Sequence, residues 1–142
     1  MPEARSDESI QMPKHGEFCW TEINSHDIAS SKPFYTNIFG WQFAQSKSGQ
    51  DMEYLEFASS GEGYPDGALF ELTEEICGGN MPPAHIAHYV SVDNVDASCD
   101  KARSLGGAVL FGPHNIPNVG RFATIADPTG AAINIITLIP MN

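Results

Sequence analysis

Short runs in which apolar residues alternate with polar ones dominate the chain, and two longer runs place apolar residues at helical spacing. The helical spacing predicts one helix that Asp27 caps and Gly40 ends. Because Pro33 removes a backbone donor, this helix either starts later, capped by Ser30, or bends. It predicts a second helix from about Val95 to about Leu105, capped by Asn94 and stopped by two glycines. The alternation predicts strands over 18–23, 41–45, 53–59, 67–73, 86–92, 108–111, 120–126 and 131–138, with a polar hairpin at 46–50 and a loop at 113–119.

The two halves of the chain share this order of one strand, one helix and three strands. The segment that starts at His26 resembles the one that starts at Asp93, about 67 residues further on. A second similarity joins Asp66–Leu72 to Thr129–Ile135. A chain built from two copies of one unit usually encloses something, so the repeat predicts a site in a cavity between the units.

The repeat also suggests the domain organisation. Residues 1–15 are polar and carry no periodicity, which predicts a flexible tail. Residues 16–142 are expected to form a single domain, with module 1 over about 16–73, a linker over 74–83 and module 2 over about 84–139. The linker contains two glycines and two prolines.

The charge excludes some classes of partner. The chain has 7 Lys and Arg against 18 Asp and Glu, for a net charge of −11. Such a surface repels phosphate backbones and anionic membranes, so neither nucleic acid nor a membrane is an expected partner. The three scattered cysteines form no metal or redox motif and favour a reducing compartment. With no signal peptide visible at the polar start, a cytoplasmic location is expected.

Three motifs in this order resemble the vicinal oxygen chelate superfamily, which includes glyoxalase I, bleomycin-resistance proteins and extradiol dioxygenases. They are Phe34–Trp41 after the first strand, Leu105–Gly107 after the second helix and Asp127–Gly130 before the last strand. Further similarity to the glyoxalase-like antigen and hydroxylase branch lies in Phe39–Trp41, Val92–Asp96 and Ile116–Phe122. The resemblance covers roughly residues 17 to 138. It implies an α+β fold in which two βαβββ modules form an eight-stranded curved mixed sheet that encloses a cavity, with the helices outside.

Enzymes of this superfamily hold a divalent metal with one residue from the first and one from the last strand of each module. The matching positions here are Trp20, Glu71, Ala87 and Asn134. Trp and Ala supply no metal ligand, and Asn is a weak one. No metal or other cofactor is therefore expected. The alternative is a divalent metal at Glu71 with a nearby histidine. His85 faces inward at the start of its strand, and a one-residue shift of the strand would bring His88 inward.

Counting alternate residues along the strands predicts which side chains face the cavity. The expected substrate-binding residues are Trp20, Glu22, Tyr89, Ser91, Asn134 and, on a strand that borders the cavity, Arg121. Glu71 is the candidate acid or base, because a carboxylate among apolar strands is a common catalytic group. The aromatic residues could instead only fill the core, and Glu71 could pair with Arg121 or reach solvent. Arg121 could equally form a salt bridge at the rim, and His15 and His114 are expected to be solvated.

These observations favour a small-molecule binding protein of the glyoxalase and bleomycin-resistance type that lacks the metal chelate. The alternative is an enzyme of the same superfamily. It would be a lyase or dioxygenase that depends on a metal, or an acid–base catalyst that uses Glu71. A small organic ligand is the expected partner in either case. A homodimer is expected because a curved sheet leaves apolar edges to cover.

Overall fold

The computed structural model describes residues 12–46 and 53–139. Eight strands and three helices follow one another along the chain. They are β1 (Phe18–Ser25), α1 (Ile28–Phe39), β2 (Ala44–Gln45), β3 (Tyr54–Phe57), β4 (Gly67–Glu71), α2 (Glu74–Cys77), β5 (His85–Ser91), α3 (Val95–Ser104), β6 (Ala108–Ile116), β7 (Gly120–Ala126) and β8 (Ala132–Leu138). None of these helices combines the length and the apolar character that crossing a bilayer requires.

The described residues divide into two compact units. Unit 1 holds residues 21–87, and unit 2 holds residues 12–20 together with 88–139. In unit 1 the strand order is β2-β3-β4-β1, with β1 parallel to β4 and the other neighbours antiparallel. In unit 2 the order is β6-β7-β8-β5, with β5 parallel to β8 and the other neighbours antiparallel. Each unit therefore has the same mixed sheet and the same connections.

Each unit has its own apolar core between its helix and its sheet. In unit 1 the core consists of Ile23, Ile28, Leu55, Phe57 and Leu69, and Leu69 is fully buried. In unit 2 it consists of Val92, Val95, Cys99, Ala123 and Ile135. These residues come from every second position of the strands and from one side of each helix, as the hydrophobic pattern requires. The predicted α+β class, with eight strands in two βαβββ modules, is confirmed.

Both long helices end as their sequences indicate. Gly40 adopts φ 78° at the end of α1, a conformation that glycine takes at little cost. Asn94 caps α3 by accepting a hydrogen bond from the backbone N–H of Ala97. Pro33 lies inside α1, which starts at Ile28 and not at the later position that Ser30 would have given.

Two segments of unit 1 differ from their predicted structure. The strand expected over 41–45 is reduced to Ala44–Gln45. The linker expected over 74–83 begins with α2, a single turn whose cap Thr73 accepts from the backbone N–H of Ile76. Except for Ser46, the hairpin predicted over 46–50 lies outside the described residues.

Strand β6 is longer than the sequence suggested. The strand continues to Ile116, through the segment predicted as a loop from residue 113. Its pairing with β7 shifts register on both sides of Phe111, and Gly112 adopts φ 80°. Because β6 is the edge strand of the unit, a bulge admits Gly112 and Pro113 without breaking the sheet.

Residues 12–17 lie along the end of β5 in unit 2. The backbone N–H of Gly16 donates to the carbonyl of Ser91, and Ser91 N–H donates to the carbonyl of Glu17. His15, predicted to be solvated, is about half exposed, and its Nδ1 accepts from the backbone N–H of Asp93 at 2.9 Å. The rest of the predicted tail, residues 1–11, lies outside the described residues.

Candidate functional site

Each sheet has a helix side, which packs on α1 or α3, and an opposite side, here called the far side. In unit 1, Ile23 and Leu69 are register partners on the helix side. Their neighbours Glu22 and Ala68 are also partners and therefore point to the far side. The far side is where this fold leaves room for polar side chains, because the helix side is filled by the apolar core.

Two polar pairs lie on the far side of unit 1. Tyr54 Oη donates to Glu22 Oε2 at 2.7 Å, and the two residues are only 4% and 9% exposed. Asn24, two residues further along β1, donates to His85 Nε2 at 3.5 Å. The other ring nitrogen of His85 bonds the carbonyl of Pro83 at 2.8 Å. Of these residues, Glu22 alone was predicted as a substrate-binding residue.

The far side of unit 2 carries two rows of side chains that run across the strands. Register pairing gives one row of Phe111, Thr124, Asn134 and Tyr89, and a second row of His114, Phe122, Ile136 and Ser91. Thr124 Oγ1 donates to Asn134 Oδ1, and Ser91 Oγ donates to the carbonyl of Pro13 at 3.3 Å. The structure thus brings together three predicted residues, namely Tyr89, Ser91 and Asn134. Trp20 lies in the first part of β1, which belongs to unit 2, and is 2% exposed.

Glu71 lies on the helix side of β4 and not on the far side, where counting alternate residues placed it. It is the register partner of Ser25, and its Oε1 accepts from the backbone N–H of Ile28 at 2.8 Å. Asp27, the cap position of α1, makes no capping bond through its side chain. The carboxylate of Glu71, at the end of β4, accepts this bond instead. It lies at the N-terminus of α1, the helix end that favours negative charge.

The register of the repeat explains why the sequence misplaced Glu71. Similarity between the halves aligns Leu69 with Ala132, and therefore Glu71 with Asn134. In the structure, Ile23 pairs with Leu69, and Val90, which matches Ile23 in the repeat, pairs with Ile135. The register therefore aligns Leu69 with Ile135, three residues beyond the Ala132 that similarity gives. Because three is an odd number, the alignment by similarity assigns Glu71 to the wrong side of its sheet.

Arg121 points to α3, on the helix side of β7. Its Nε and Nη2 donate to the two carboxylate oxygens of Asp96 at 2.8 and 3.0 Å, and Nη1 donates to Asn115 Oδ1 at 3.0 Å. This is the salt bridge that the sequence analysis gave as the alternative to a substrate anchor. The pair borders a surface pocket of about 480 Å³, whose lining includes Ile116, Pro117 and Asn118.

The ion pair predicts a pH effect at Asp96. The hydrogen bond and the charge of Arg121 lower the pKa of this carboxyl below its ordinary value of 3.8. The pair therefore stabilises the fold fully above that value, and its contribution is lost as pH falls through the lowered pKa. Arg121→Gln should raise the pKa of Asp96 in a carboxyl-carbon NMR titration.

Asp127 provides the internal control for this titration. Hydrogen bonds from Thr129 and from the backbone N–H of Ala131 lower the pKa of its carboxyl. Arg121 makes none of these bonds, so Arg121→Gln should leave Asp127 unchanged. An equal rise at both aspartates would mean that the substitution disturbs the whole unit, and would contradict the assignment.

The four chelate positions offer a poor set of donors for a divalent metal. Trp20 is a buried indole, Ala87 has no donor, Asn134 is already bonded to Thr124, and Glu71 caps α1. Within residues 12–46 and 53–139, no three His, Cys, Asp or Glu side chains are grouped as metal ligands. The residues present do not fit the metal site of the superfamily's enzymes.

Sequence reasoning missed several polar and aromatic residues on the far sides. Tyr54 was a plain strand residue, and Phe111 and His114 were assigned to a strand end and a loop. The sequence signal for Phe111 and His114 was their spacing from each other and from Phe122. That spacing predicts an aromatic cluster only if β6 continues through Pro113. His88, considered as a ligand, stacks edge-on with Phe18 at 5.7 Å.

Comparison with known proteins gives concordant results. The family model of the Glyoxalase/Bleomycin resistance protein/Dioxygenase superfamily matches residues 18–135. CFP32 of Mycobacterium tuberculosis, which carries the name of a glyoxylase, is 33% identical over 87% of this chain and 48% of its own length. A Vibrio parahaemolyticus protein that carries the name of a lactoylglutathione lyase is 30% identical over 86% of this chain and 91% of its own.

A solved structure shows the same fold. Methylmalonyl-CoA epimerase from Mycobacterium tuberculosis superposes with a TM-score of 0.61 over 92% of this chain and 93% of its own, at 17% identity. The chain spans about half the length of CFP32. The family match covers most of the chain, from β1 into β8, and the relatives agree with it. The chain belongs to the Glyoxalase/Bleomycin resistance protein/Dioxygenase superfamily.

Proposed function

We propose that this chain binds a small organic molecule and does so without a divalent metal. The proposed ligand contacts are Trp20, Glu22, Tyr89, Ser91 and Asn134. One observation carries the proposal: Glu71 is the only anionic residue at the four chelate positions, and its carboxylate is engaged by the N-terminus of α1. Polar groups among buried aromatic residues are typical of small-molecule sites.

Two measurements on the purified protein test this proposal. Elemental analysis after dialysis should give far less than one divalent ion per chain. A thermal-shift screen of small aromatic, aliphatic and dicarbonyl compounds should give compounds that raise the melting temperature and remain unchanged after incubation. One tightly bound metal per chain that is lost with Glu71→Ala, or a screen without a binding compound, would contradict the proposal.

A second candidate function is catalysis of a proton transfer. The observation in its favour is the buried pair of Glu22 and Tyr54, joined at 2.7 Å. A carboxyl group with a phenol beside it can accept a proton from a bound substrate. The names of the two relatives compared above, a glyoxylase and a lactoylglutathione lyase, are compatible with this candidate. Consumption of a compound that binds in the screen would favour the enzyme over the binding protein.

Glu71 remains the catalytic residue proposed from the sequence, and one substitution separates that role from helix capping. Glu71→Gln keeps an oxygen that can accept from Ile28 but removes the acid and base. If Glu71 only caps α1, the variant should consume any converted compound at the wild-type rate. If Glu71 is the proton carrier, the rate should fall at least a hundredfold while the melting temperature stays close to that of the wild type.

The assembly and location of the protein are also proposals. Phe34, Ile38 and Phe39 of α1 are each 57% exposed, and a second copy of the chain is the proposed cover for this apolar surface. Sedimentation should then give twice the chain mass, and Ile38→Asp should give monomers. A cytoplasmic location is proposed because Cys19, Cys77 and Cys99 are free thiols.

A further inference from the structure

Three aromatic rings form a cluster at the β6 edge of unit 2, on the far side of its sheet. Phe111 and His114 have ring centroids 4.7 Å apart, and Phe122 lies 5.8 Å from Phe111 and 6.5 Å from His114. Phe111 is 51% exposed, and His114 is exposed as well. Rings that meet at such distances while remaining accessible offer their surfaces to a further ring.

A hydrogen-bond donor lies on the same side of the sheet as this cluster, two strands away from Phe111. Thr124 is the register partner of both Phe111 on β6 and Asn134 on β8, so the amide lies two strand spacings from the ring, or about 10 Å. Asn134 Oδ1 accepts from Thr124, and among the described residues its Nδ2 makes no hydrogen bond. That nitrogen can donate to an oxygen on a ligand whose rings lie over Phe111 and Phe122.

The surrounding charge narrows the class of ligand. The two rows on the far side of unit 2 contain no Lys, Arg, Asp or Glu, and the whole chain has a net charge of −11. An anionic ligand would find no counter-ion in these rows and would be repelled by the rest of the protein. A single ring at the β6 edge would not reach Asn134, whereas a fused ring system with an oxygen substituent can.

We propose that this cluster binds a neutral, fused-ring aromatic compound that carries a hydroxyl or carbonyl oxygen. The rings pack on Phe111, His114 and Phe122, and the oxygen accepts a hydrogen bond from Asn134. This inference rests on the proposed binding function and names the class of its ligand.

Isothermal titration with four related probes tests the proposal. They are 2-naphthol, decahydro-2-naphthol, 2-methylnaphthalene and 2-naphthoate, which vary the aromaticity, the oxygen and the charge one at a time. We expect 2-naphthol to bind at least about tenfold more tightly than each of the other three. Phe111→Leu should weaken 2-naphthol about fivefold, the size of effect that one aromatic pair gives. Tyr64→Leu, which removes a partly exposed ring from the loop before β4 in unit 1, should leave the affinity unchanged.

Two results would overturn the ligand class. One is equal binding of decahydro-2-naphthol, 2-methylnaphthalene or 2-naphthoate, and the other is an equal effect of the Phe111 and Tyr64 substitutions. His114→Leu provides a second variant at an exposed position, and unchanged binding in both it and Phe111→Leu would also overturn the proposal. If aliphatic compounds bind in the thermal-shift screen while 2-naphthol does not, the aromatic inference fails and the binding function stands. If nothing binds in that screen, the function itself fails.

Discussion

Replacing Leu69 by alanine will lower the free energy of unfolding by about 3 kcal/mol. Leu69 is fully buried at the centre of the unit 1 core, where β4 packs beneath Ile28 and Leu55. The substitution removes three buried carbon atoms and leaves a cavity that the strands on both sides cannot close. Chemical denaturation followed by circular dichroism measures the change.

Leu105→Ala is the matched control for this substitution. Leu105 follows α3 and is 67% exposed, so the same loss of side chain should cost less than about 0.5 kcal/mol. Similar losses for the two variants would show that Leu69 is not the centre of a packed core. That result would contradict the description of unit 1.

Removing one hydroxyl group with Tyr54→Phe should cost about 2 kcal/mol of folding free energy. The phenol donates to Glu22, and both residues are buried. Without the phenol, the Glu22 carboxyl loses a donor but stays away from solvent, which is more costly than losing a surface hydrogen bond. Denaturation curves of the variant and the wild type at neutral pH give the difference.

Tyr35→Phe removes the same atom from a tyrosine whose contacts are with rings. Tyr35 stacks on Trp41 and Phe39 and lies edge-on to Phe34. Its loss of a hydroxyl should change stability by less than about 0.5 kcal/mol. Equal effects at the two tyrosines would mean that the bond between Tyr54 and Glu22 contributes nothing particular.

Local signals in the sequence were sufficient for most of the fold. The cap at Asn94 and the helix end at Gly40 each depend only on residues within one helical turn, and the structure has both. The bulge in β6 depends instead on pairing with a strand that is distant in sequence. Gly112 and Pro113 indicate a loop by themselves, and only the pairing of β6 with β7 on one side allows the strand to continue through them.

The candidate site was less predictable because it depends on register. Tyr89, Ser91 and Asn134 share the far side of unit 2 as alternation implied. Glu71 does not share a side with Glu22, because the backbone register between β1 and β4 decides its side and similarity between the halves suggested another. Phe111 and His114 required knowledge of which residues lie opposite each other across strands.

The odd offset between sequence similarity and register has a consequence for recombination within the gene. Consider a crossover that joins the halves at Gly67 and Gly130, where the two copies look most alike. It would place the last strand of each unit in the other unit with its two faces exchanged. Its apolar residues would then face away from the helix. Chimaeras joined so that Leu69 replaces Ile135 keep every side chain on its own surface, and only these should yield folded hybrids.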